Sequence, residues 1–547
     1  SPITGNITGS SNVVGGLVGY TNGNTTITNS DVTSNVSGGT YVGGLIGRAA
    51  ASSSYTLKLT NNVKTGTTTG TSGYIGGLVG ASSQTTEISN NSNKGNVIGA
   101  SNYIGGLIGQ GGTTTITSSY NIGNVETTSG GYVGGLVGSS GTTTITSGYS
   151  TGNVIGTSNY IGGLIGNSGT TTITSSYNIG NVETTTGGNV GGLIGNSGAT
   201  TITSSYSTGN VTGQTNYIGG LAGNISSGTV DKVYASGNVK QTYTVTGSKS
   251  VNYPIGGLIG QSGAAISNAY ALGDVTTTYN YTQHVGGLIG YQTGNVTNAY
   301  STGKVNTINS SNYRDVSIGE MTGTKTNLYY IADTSLIDSS VYATRIDTIG
   351  AGAEKYVGFK FDEIWGIQDG VTTPYILGLQ IDPKNYYTKG SDYVREGRGT
   401  QVDPYLIKTE EDLNQIRNSR YAYYKIMNDI TLSTYKVWTP IPNFYGVIEG
   451  NGKKIIGLAP TTGSFIKTTN NVTIKDLTFE NVAITNTTNY TGIIGQTSGT
   501  TILENVNITS GSISGGTTAG ATNYSYVGGL VGYTNGNTTI TNSDVTS

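Results

Sequence analysis

Residues 101–128 read SNYIGGLIGQGGTTTITSSYNIGNVETT. Three runs within this stretch, YIGGLIG, TTTITSSY and GNVETT, are rich in the β-branched and aromatic residues that favour strands. Each is bounded by Gly, Ser or Asn, the residues that turns favour. Apolar residues do not recur at helical spacing anywhere in it. Outward from here, a GGL block recurs with its first glycine at Gly15, Gly43, Gly76, Gly105, Gly134, Gly162, Gly191, Gly219, Gly256 and Gly286, at spacings of 28, 33, 29, 29, 28, 29, 28, 37 and 30 residues. A degenerate copy, VSIGEMTG, surrounds Ile318, and two more copies lie near Gly492 and Gly528. Three strands per turn at a near-constant period is the pattern of a parallel β-helix, in which stacked repeats supply the core that one repeat cannot. The fold class is therefore all-β, a β-solenoid with about three strands per turn. About ten turns between residues 14 and 310, each about 4.8 Å from the next, predict a rod on the order of 50 Å long.

Equivalent positions in successive turns carry the same residue. Tyr120, Tyr149, Tyr177, Tyr206, Tyr234, Tyr270 and Tyr300 share one slot, and Asn96, Asn124, Asn153, Asn181, Asn210 and Asn238 share another. Stacked identical side chains form aromatic and amide ladders. Ile116, Ile145, Ile173 and Ile202 share a slot expected to point inward. The glycine pairs let a strand bend and let backbones approach at a corner. Two longer periods are superposed. Tyr103, Tyr160 and Tyr217 head near-identical stretches 57 residues apart, as duplication by two-turn units would leave them. Residues 14–34, VGGLVGYTNGNTTITNSDVTS, recur unchanged as residues 527–547. The expectation from this 513-residue offset is a window on a larger tandem array, begun and ended in mid-turn.

Composition removes several functional classes. The 547 residues include no Cys, which excludes disulfide scaffolds, Cys-based zinc sites and thiol catalysis. The single His284 excludes histidine-cluster metal sites and most Ser-His-Asp chemistry. The formal net charge of -2 lacks the basic footprint of a nucleic-acid binder. No apolar run approaches the ~20 residues that span a bilayer. Charged residues make up only 10% of the chain, yet its 39 Tyr and abundant Val, Ile and Thr are not the composition of a disordered one. Charge is also unevenly placed. Residues 311–460 hold 34 of the 54 charged residues, whereas residues 101–228 hold only Glu126 and Glu183.

That shift divides the chain. Residues 1–310 are solenoid repeats ending one module, and 311–395 are a divergent closing segment and connector. Residues 396–460 open the next module, and 461–547 are its repeats. Thr409 with Asp412 forms a capping-box pattern, with Leu413 and Ile416 about one helical turn apart. This predicts a short helix at about 410–418 that caps the bottom of the second solenoid, whose open end would otherwise expose strand edges and core.

The segments GRGTQVDPYLIKTEEDLNQIRN (397–418), YYKIMNDITL (423–432) and WTPIPNFYGVIEGNGKKIIGL (438–458), followed by G-L-V-G turns, resemble the opening of GLUG-motif surface proteins. FKFDEIWGIQDGVTTPYI (359–376) is similar to the segment that closes such a domain. The resemblance implies a parallel β-helix and a large secreted or cell-surface protein of the adhesin kind. It supplies no active site, because the motif is structural.

Glu126 and Glu183 occupy equivalent positions two turns apart, about 10 Å, and read better as solvated outer positions than as a glycosidase pair. Glu410, Glu411 and Asp412 read as an acidic helix start. Asp362, Glu363 and Asp369 near Trp365 read as a closing cap rather than a sugar site. His284 fills a slot held elsewhere by Tyr103, Tyr132, Tyr160 and Tyr217 and reads as a ladder substitution. Lys453 and Lys454 after GNG read as a solvated turn. No calcium loop and no phosphate-cradling motif occurs. The TTTIT runs would form a hydroxyl grid of the kind that binds ice or crystalline polysaccharide, set against the simpler reading of strand propensity without charge. Asn6, Asn24, Asn35, Asn210, Asn224, Asn280, Asn295, Asn486 and Asn537 head Asn-x-Ser/Thr acceptors for N-glycosylation.

The sequence thus predicts a structural extracellular protein without enzymatic activity, catalytic residues, metal or cofactor. It would form a tandem or polymeric fibre, sheath or stalk. Its partners would be copies of itself, end to end and side by side, and surface glycans, with no nucleic acid and no membrane span. The alternatives are an adhesin or carbohydrate-binding surface module, and a β-helix enzyme acting on polysaccharide.

Overall fold

The computed structural model describes residues 5–10, 12–50, 54–100, 102–242, 253–278, 284–307, 314–331, 340–346, 352–361, 363–367, 373–385, 401, 404–418, 420, 422–433, 437–460, 462–486, 490–515 and 526–546. The chain is a parallel β-solenoid, with one short α-helix among the described residues. It divides into two compact units, Ser1–Tyr387 and Thr388–Ser547.

In the first unit one rung consists of strands Ile104–Gly105, Ile108–Thr117, Tyr120–Asn121 and Val125–Thr127. Each pairs in parallel with its counterpart one repeat later, in the register Ile104↔Val133, Ile116↔Ile145, Tyr120↔Tyr149 and Val125↔Val154. Two of the resulting sheets have 11 strands each and the third has 24. Inward residues form unbroken columns. Val97, Val125, Val154 and Val182, and likewise Leu107, Leu136, Leu164 and Leu193, are fully buried. Each such side chain contributes roughly 1.5–3 kcal/mol on leaving water, so the core grows with every rung rather than with the width of the domain.

By its composition YIGGLIG is expected to be one strand. The structure breaks it at the glycine pair, and the run after the pair continues through the threonines as Ile108–Thr117. The cause is steric. A Cβ on Gly105 would lie 1.9 Å from the carbonyl oxygen of Ile108, and one on Gly106 would lie 2.0 Å from that of Gly135 in the next rung. A second corner turns on a left-handed residue, Asn61, Asn90, Ser118, Ser147, Ser175 and Ser204 in successive rungs, with φ of 47–56°. Asn is enriched there because its short polar side chain tolerates that conformation.

The repeat does not stop at residue 310. Arg314–Asp315, Ile318–Met321 and Lys325–Ile331 pair in register with the preceding rung, and Thr344–Ile346 follows. Ile318 keeps the buried position of the degenerate VSIGEMTG copy. Tyr356, Phe359, Trp365 and Ile376 then pack on the tyrosine column rather than in a further rung.

The second unit stacks Tyr405–Ile407, Tyr423–Ile426, Val447–Ile456, Ser464–Glu480, Tyr490–Ile508 and Val531–Thr541 in parallel. Solenoid strands therefore begin at Tyr405, inside the segment read as an opening cap. Helix α1, Glu410–Asn414, continues as a 3-10 turn over Gln415–Asn418. The Thr409 side chain accepts from the Asp412 backbone N–H at 3.1 Å, and the Thr409 N–H donates to the Asp412 carboxylate at 2.8 Å. Leu413 and Ile416 are fully buried. Lys453 and Lys454 lie within the strand Val447–Ile456, after a register shift at Asn451 and Gly452, rather than in a free turn.

Candidate functional site

The most regular chemistry of the first unit is a column of tyrosines. Because Tyr120, Tyr149, Tyr177, Tyr206, Tyr234, Tyr270 and Tyr300 are register partners, their rings lie face over face. Successive centroids are 4.7, 4.9, 5.1, 4.9, 4.9 and 5.2 Å apart, with planes within 9° of parallel. Aromatic pairs at this spacing are worth about 0.5–1.5 kcal/mol beyond their buried area.

The column begins half-buried and ends in the interior. From Tyr206 onward it is covered by Tyr356, Phe359, Trp365 and Ile376. Phe359 stacks on Trp365 at 4.4 Å, and the Trp365 Nε1–H donates to Asn268 Oδ1 at 3.2 Å. The Tyr206 hydroxyl donates to Gln380 Oε1 at 2.9 Å, the Ser236 hydroxyl donates to Asp382 at 2.5 Å, and the Tyr300 hydroxyl bonds to Thr373 and Pro374. Trp365 is fully buried, so it offers no platform for a sugar. Glu363 is exposed and pairs with Lys360 at 3.5 Å. Asp362 and Asp369 lie outside the described residues.

Burial holds the phenols of Tyr270 and Tyr300 well above the ordinary tyrosine range. Burial, with the neighbouring Tyr177 and Tyr120, pushes Tyr149 up to about 12. An unfolded tyrosine ionises near pH 10. Protons are therefore held more tightly by the folded chain, and this stabilisation is full below about pH 10 and is lost as pH rises through the folded values. In an ultraviolet titration Tyr149, Tyr270 and Tyr300 should ionise above the pH at which unfolded tyrosine does, Tyr270 and Tyr300 only as the protein unfolds. Ionisation of all tyrosines in one step near pH 10, with the fold intact, would contradict the buried column.

A second column occupies the slot that the sequence assigns to Tyr103, Tyr132, Tyr160 and Tyr217. Tyr41, Tyr74, Tyr103, Tyr132 and Tyr160 stack at 4.8–4.9 Å and are half-buried. Its signal is a tyrosine two residues before the glycine pairs that start at Gly43, Gly76, Gly105, Gly134 and Gly162. The column stops at Asn189, which takes the next place in the backbone register. His284 lies further along this row but joins no stack. Its ring is edge-on to Tyr291 at 5.2 Å, and Nδ1 is 2.6 Å from the Glu320 carboxylate. Burial lowers its pKa, against the opposing pull of Glu320.

The asparagine column Asn124, Asn153, Asn181 and Asn210 is bonded differently from an amide-to-amide ladder. Asn96 Oδ1 accepts from the main-chain N–H of Asn124, Asn124 Oδ1 from that of Asn153, Asn153 from Asn181, and Asn181 from Asn210, each at 3.0 Å. Asn210 accepts from Asn238, Asn238 from Asp274, and Asp274 from Lys304 at 2.9, 3.1 and 2.8 Å. Each side chain thus satisfies a corner N–H that no strand partner reaches. Amide-to-amide bonds run instead through Asn167, Asn196 and Asn224, at 2.8 Å each.

Of the glycosylation acceptors, Asn6, Asn24, Asn35, Asn210, Asn295 and Asn537 are exposed. A glycan attaches through Nδ2, whereas the relay at Asn210 uses Oδ1, so the two do not compete for one atom. Asn224 is half-buried and commits its Nδ2 to Asn196. Asn486 ends the strand Val482–Asn486, and Asn280 lies outside the described residues.

Glu126 and Glu183 are exposed, with Ile155 between them in the register. Glu410 accepts from the Ser433 N–H and hydroxyl at 2.7 and 2.9 Å. Thr115, Thr144, Thr172 and Thr201 form one outward row, and Thr117, Thr146, Thr174 and Thr203 a second. Among the described residues no three His, Cys, Asp or Glu converge as metal ligands, and no helix is long and apolar enough to cross a membrane.

A family model, the GLUG motif, matches residues 281–306, the stretch that holds Gly286 and the strand Val296–Ser301. No curated protein matches the chain.

Proposed function

We propose that this GLUG-repeat β-solenoid is architectural, an extracellular rod that builds a cell-surface fibre, sheath or stalk. The observation that carries the reading is the tyrosine column from Tyr120 to Tyr300, together with the asparagine relay beside it. The rings stack on the neighbouring rung, and the asparagine oxygens accept from its main chain. Such groups resist bending and shear between rungs rather than gripping a substrate. The four rungs from residue 101 to 213 carry only Glu126 and Glu183, so copies could lie side by side with little charge repulsion.

The purified chain, viewed by electron microscopy over a range of concentrations, is expected to form filaments that lengthen with concentration. Single particles of constant size at every concentration would overturn the reading. A second reading, recognition of surface glycans, draws on the half-exposed column Tyr41–Tyr160. Binding to a glycan array without filaments would favour it. Release of product from a polysaccharide, lost on Glu363→Gln, would favour an enzyme instead.

A further inference from the structure

One inward slot of the first unit is polar. Lys64, Asn93, Asn121, Ser150, Asn178 and Ser207 follow one another in it as register partners, and all are fully buried. Asn93 shows how an asparagine serves the slot. Its Nδ2 donates twice, to the carbonyl oxygen of Gly95 in its own rung and to Asn121 Oδ1 in the next, each at 2.7 Å. Asn121 and Asn178 repeat the first of these bonds, to the carbonyls of Gly123 at 2.6 Å and Gly180 at 2.7 Å. With Nδ2 held there, Asn121 turns its Oδ1 to the rung before it. Asn178, bonded alike, turns its own toward the rung of Ser150.

Ser150 is too short to answer it. A Cβ added at Gly135 would lie 2.5 Å from Ser150 Oγ, as one at Gly106 or Gly163 would lie 2.6 or 2.4 Å from the Cγ of Asn121 or Asn178. The serine oxygen therefore stands where the asparagines branch, and the side chain ends there. Ser150 Oγ and Asn178 Oδ1 are both buried without a hydrogen-bond partner among the described residues. The Gly152 carbonyl, counterpart of those of Gly95, Gly123 and Gly180, receives no bond from Ser150. A buried polar group left unpaired costs more than ordering one water beside it. Serine is about two heavy atoms smaller than asparagine, while the flanking rungs keep their spacing of about 4.8 Å. That difference is enough for the single probe sphere a water requires.

We propose that the solenoid binds one internal water at the Ser150 rung, which accepts from the Ser150 hydroxyl and donates to Asn178 Oδ1 and the Gly152 carbonyl. The water does there what Nδ2 does in Asn93. Its bonds match donor to acceptor, and about three is the usual number for a buried water. A small cation is the other occupant to weigh, since the Lys64 amine sits in this slot on the carbonyls of Ser34 and Gly66. The only charged side chains from residue 101 to 213, Glu126 and Glu183, are exposed, so a cation at Ser150 would be buried without a counter-charge. A neutral donor wins. Ser207 Oγ is unpaired in the same way, but its partner in the next rung is Ala235, so a water there has one acceptor fewer. The site is independent of the architectural reading.

Ser150→Asn in the full chain tests the site, because asparagine at 150 would repeat the bonds of Asn93 and displace the water. Magnetic relaxation dispersion of the water oxygen counts the waters a protein holds for longer than it tumbles. The native chain should hold one more than Ser150→Asn, and the variant should be at least as resistant to denaturant. Equal counts would overturn the proposal. A crystal structure of the native chain gives a reading that does not depend on the variant folding. An ordered oxygen about 2.7–3.2 Å from Ser150 Oγ, Asn178 Oδ1 and the Gly152 carbonyl is expected. A direct bond from Ser150 to Asn178, with no oxygen between them, would overturn the site. Potassium or ammonium that raises the unfolding midpoint of the native chain over sodium at equal ionic strength, with no such rise in Ser150→Asn, would make the occupant a cation and equally overturn the water.

Discussion

Gly135→Ala should destabilise the first unit by about 3 kcal/mol or more. The added Cβ would lie 2.0 Å from the Gly163 carbonyl oxygen in the next rung and 2.5 Å from Ser150 Oγ. The first obstacle is backbone, fixed by the pairing Val133↔Ile161 on one side and Val137↔Ile165 on the other, so neither rung can yield alone. The proper control is Gly112→Ala, whose Cβ would meet nothing closer than 3.5 Å and which lies on a strand without a left-handed φ. That change should be neutral or slightly stabilising, because alanine narrows the unfolded ensemble. Denaturant unfolding of the two variants measures the difference, and equal stabilities would refute the steric account of the GGL block. Because each rung touches mainly its neighbours, proteolysis of Gly135→Ala should begin near residues 133–165.

Lys64→Asn should have a large effect of the opposite sign, stabilising the protein by about 2 kcal/mol at neutral pH. Lys64 is fully buried in a slot that holds Asn93, Asn121 and Asn178 in other rungs. Its Nζ donates to the carbonyl oxygens of Ser34, at 3.0 Å, and Gly66. Burial depresses its pKa to about 8. Below that value the lysine is charged in both states and the folded state carries the whole desolvation cost. Between about pH 8 and 10.4 the unfolded chain holds the proton more tightly, so stability should rise with pH. Asparagine removes the buried charge. It would also repair a neighbour, since Asn93 Oδ1 is buried without a hydrogen-bond partner among the described residues. One rung on, Asn93 Nδ2 donates to Asn121 Oδ1 and to the Gly95 carbonyl, each at 2.7 Å. Asparagine at position 64 can make the same pair of bonds. Chemical denaturation from pH 7 to 10.5 should therefore show a rise in the native chain that the variant lacks. A variant less stable than the native chain at pH 7 would contradict this.

The features legible in the sequence were those fixed by strict recurrence. A residue type that returns every 28–30 positions must return to the same place in a stack, so the Ile116, Ile145, Ile173 and Ile202 core column and the tyrosine slot could be read from spacing. What a column does at its corners could not. The asparagines of the Asn96 slot bond to the next backbone rather than to one another, because a corner N–H lacks a strand partner and a side-chain oxygen is within reach. The GGL block reads as a strand from its apolar residues, and only the approach of the Gly163 carbonyl reveals Gly135 as a corner. Residues 352–385 were hardest to place. Their Trp365 and Phe359 belong to a core whose other half, Tyr270 and Tyr300, lies about two to three rungs back in the sequence.

The central claim is a linear stack, and distance growing with rung number tests it. Ser37, Thr69, Ile98, Glu126, Ile155, Glu183, Thr212, Lys240, Thr276 and Asn306 follow one another as register partners. Spin labels on cysteines introduced in the otherwise Cys-free chain at Glu126 and Lys240, four rungs apart, should be about 19 Å apart, and at Ser37 and Asn306, nine rungs apart, about 43 Å. A Ser37–Asn306 distance equal to or shorter than the Glu126–Lys240 distance, as a closed barrel or propeller would give, would contradict the stacked solenoid.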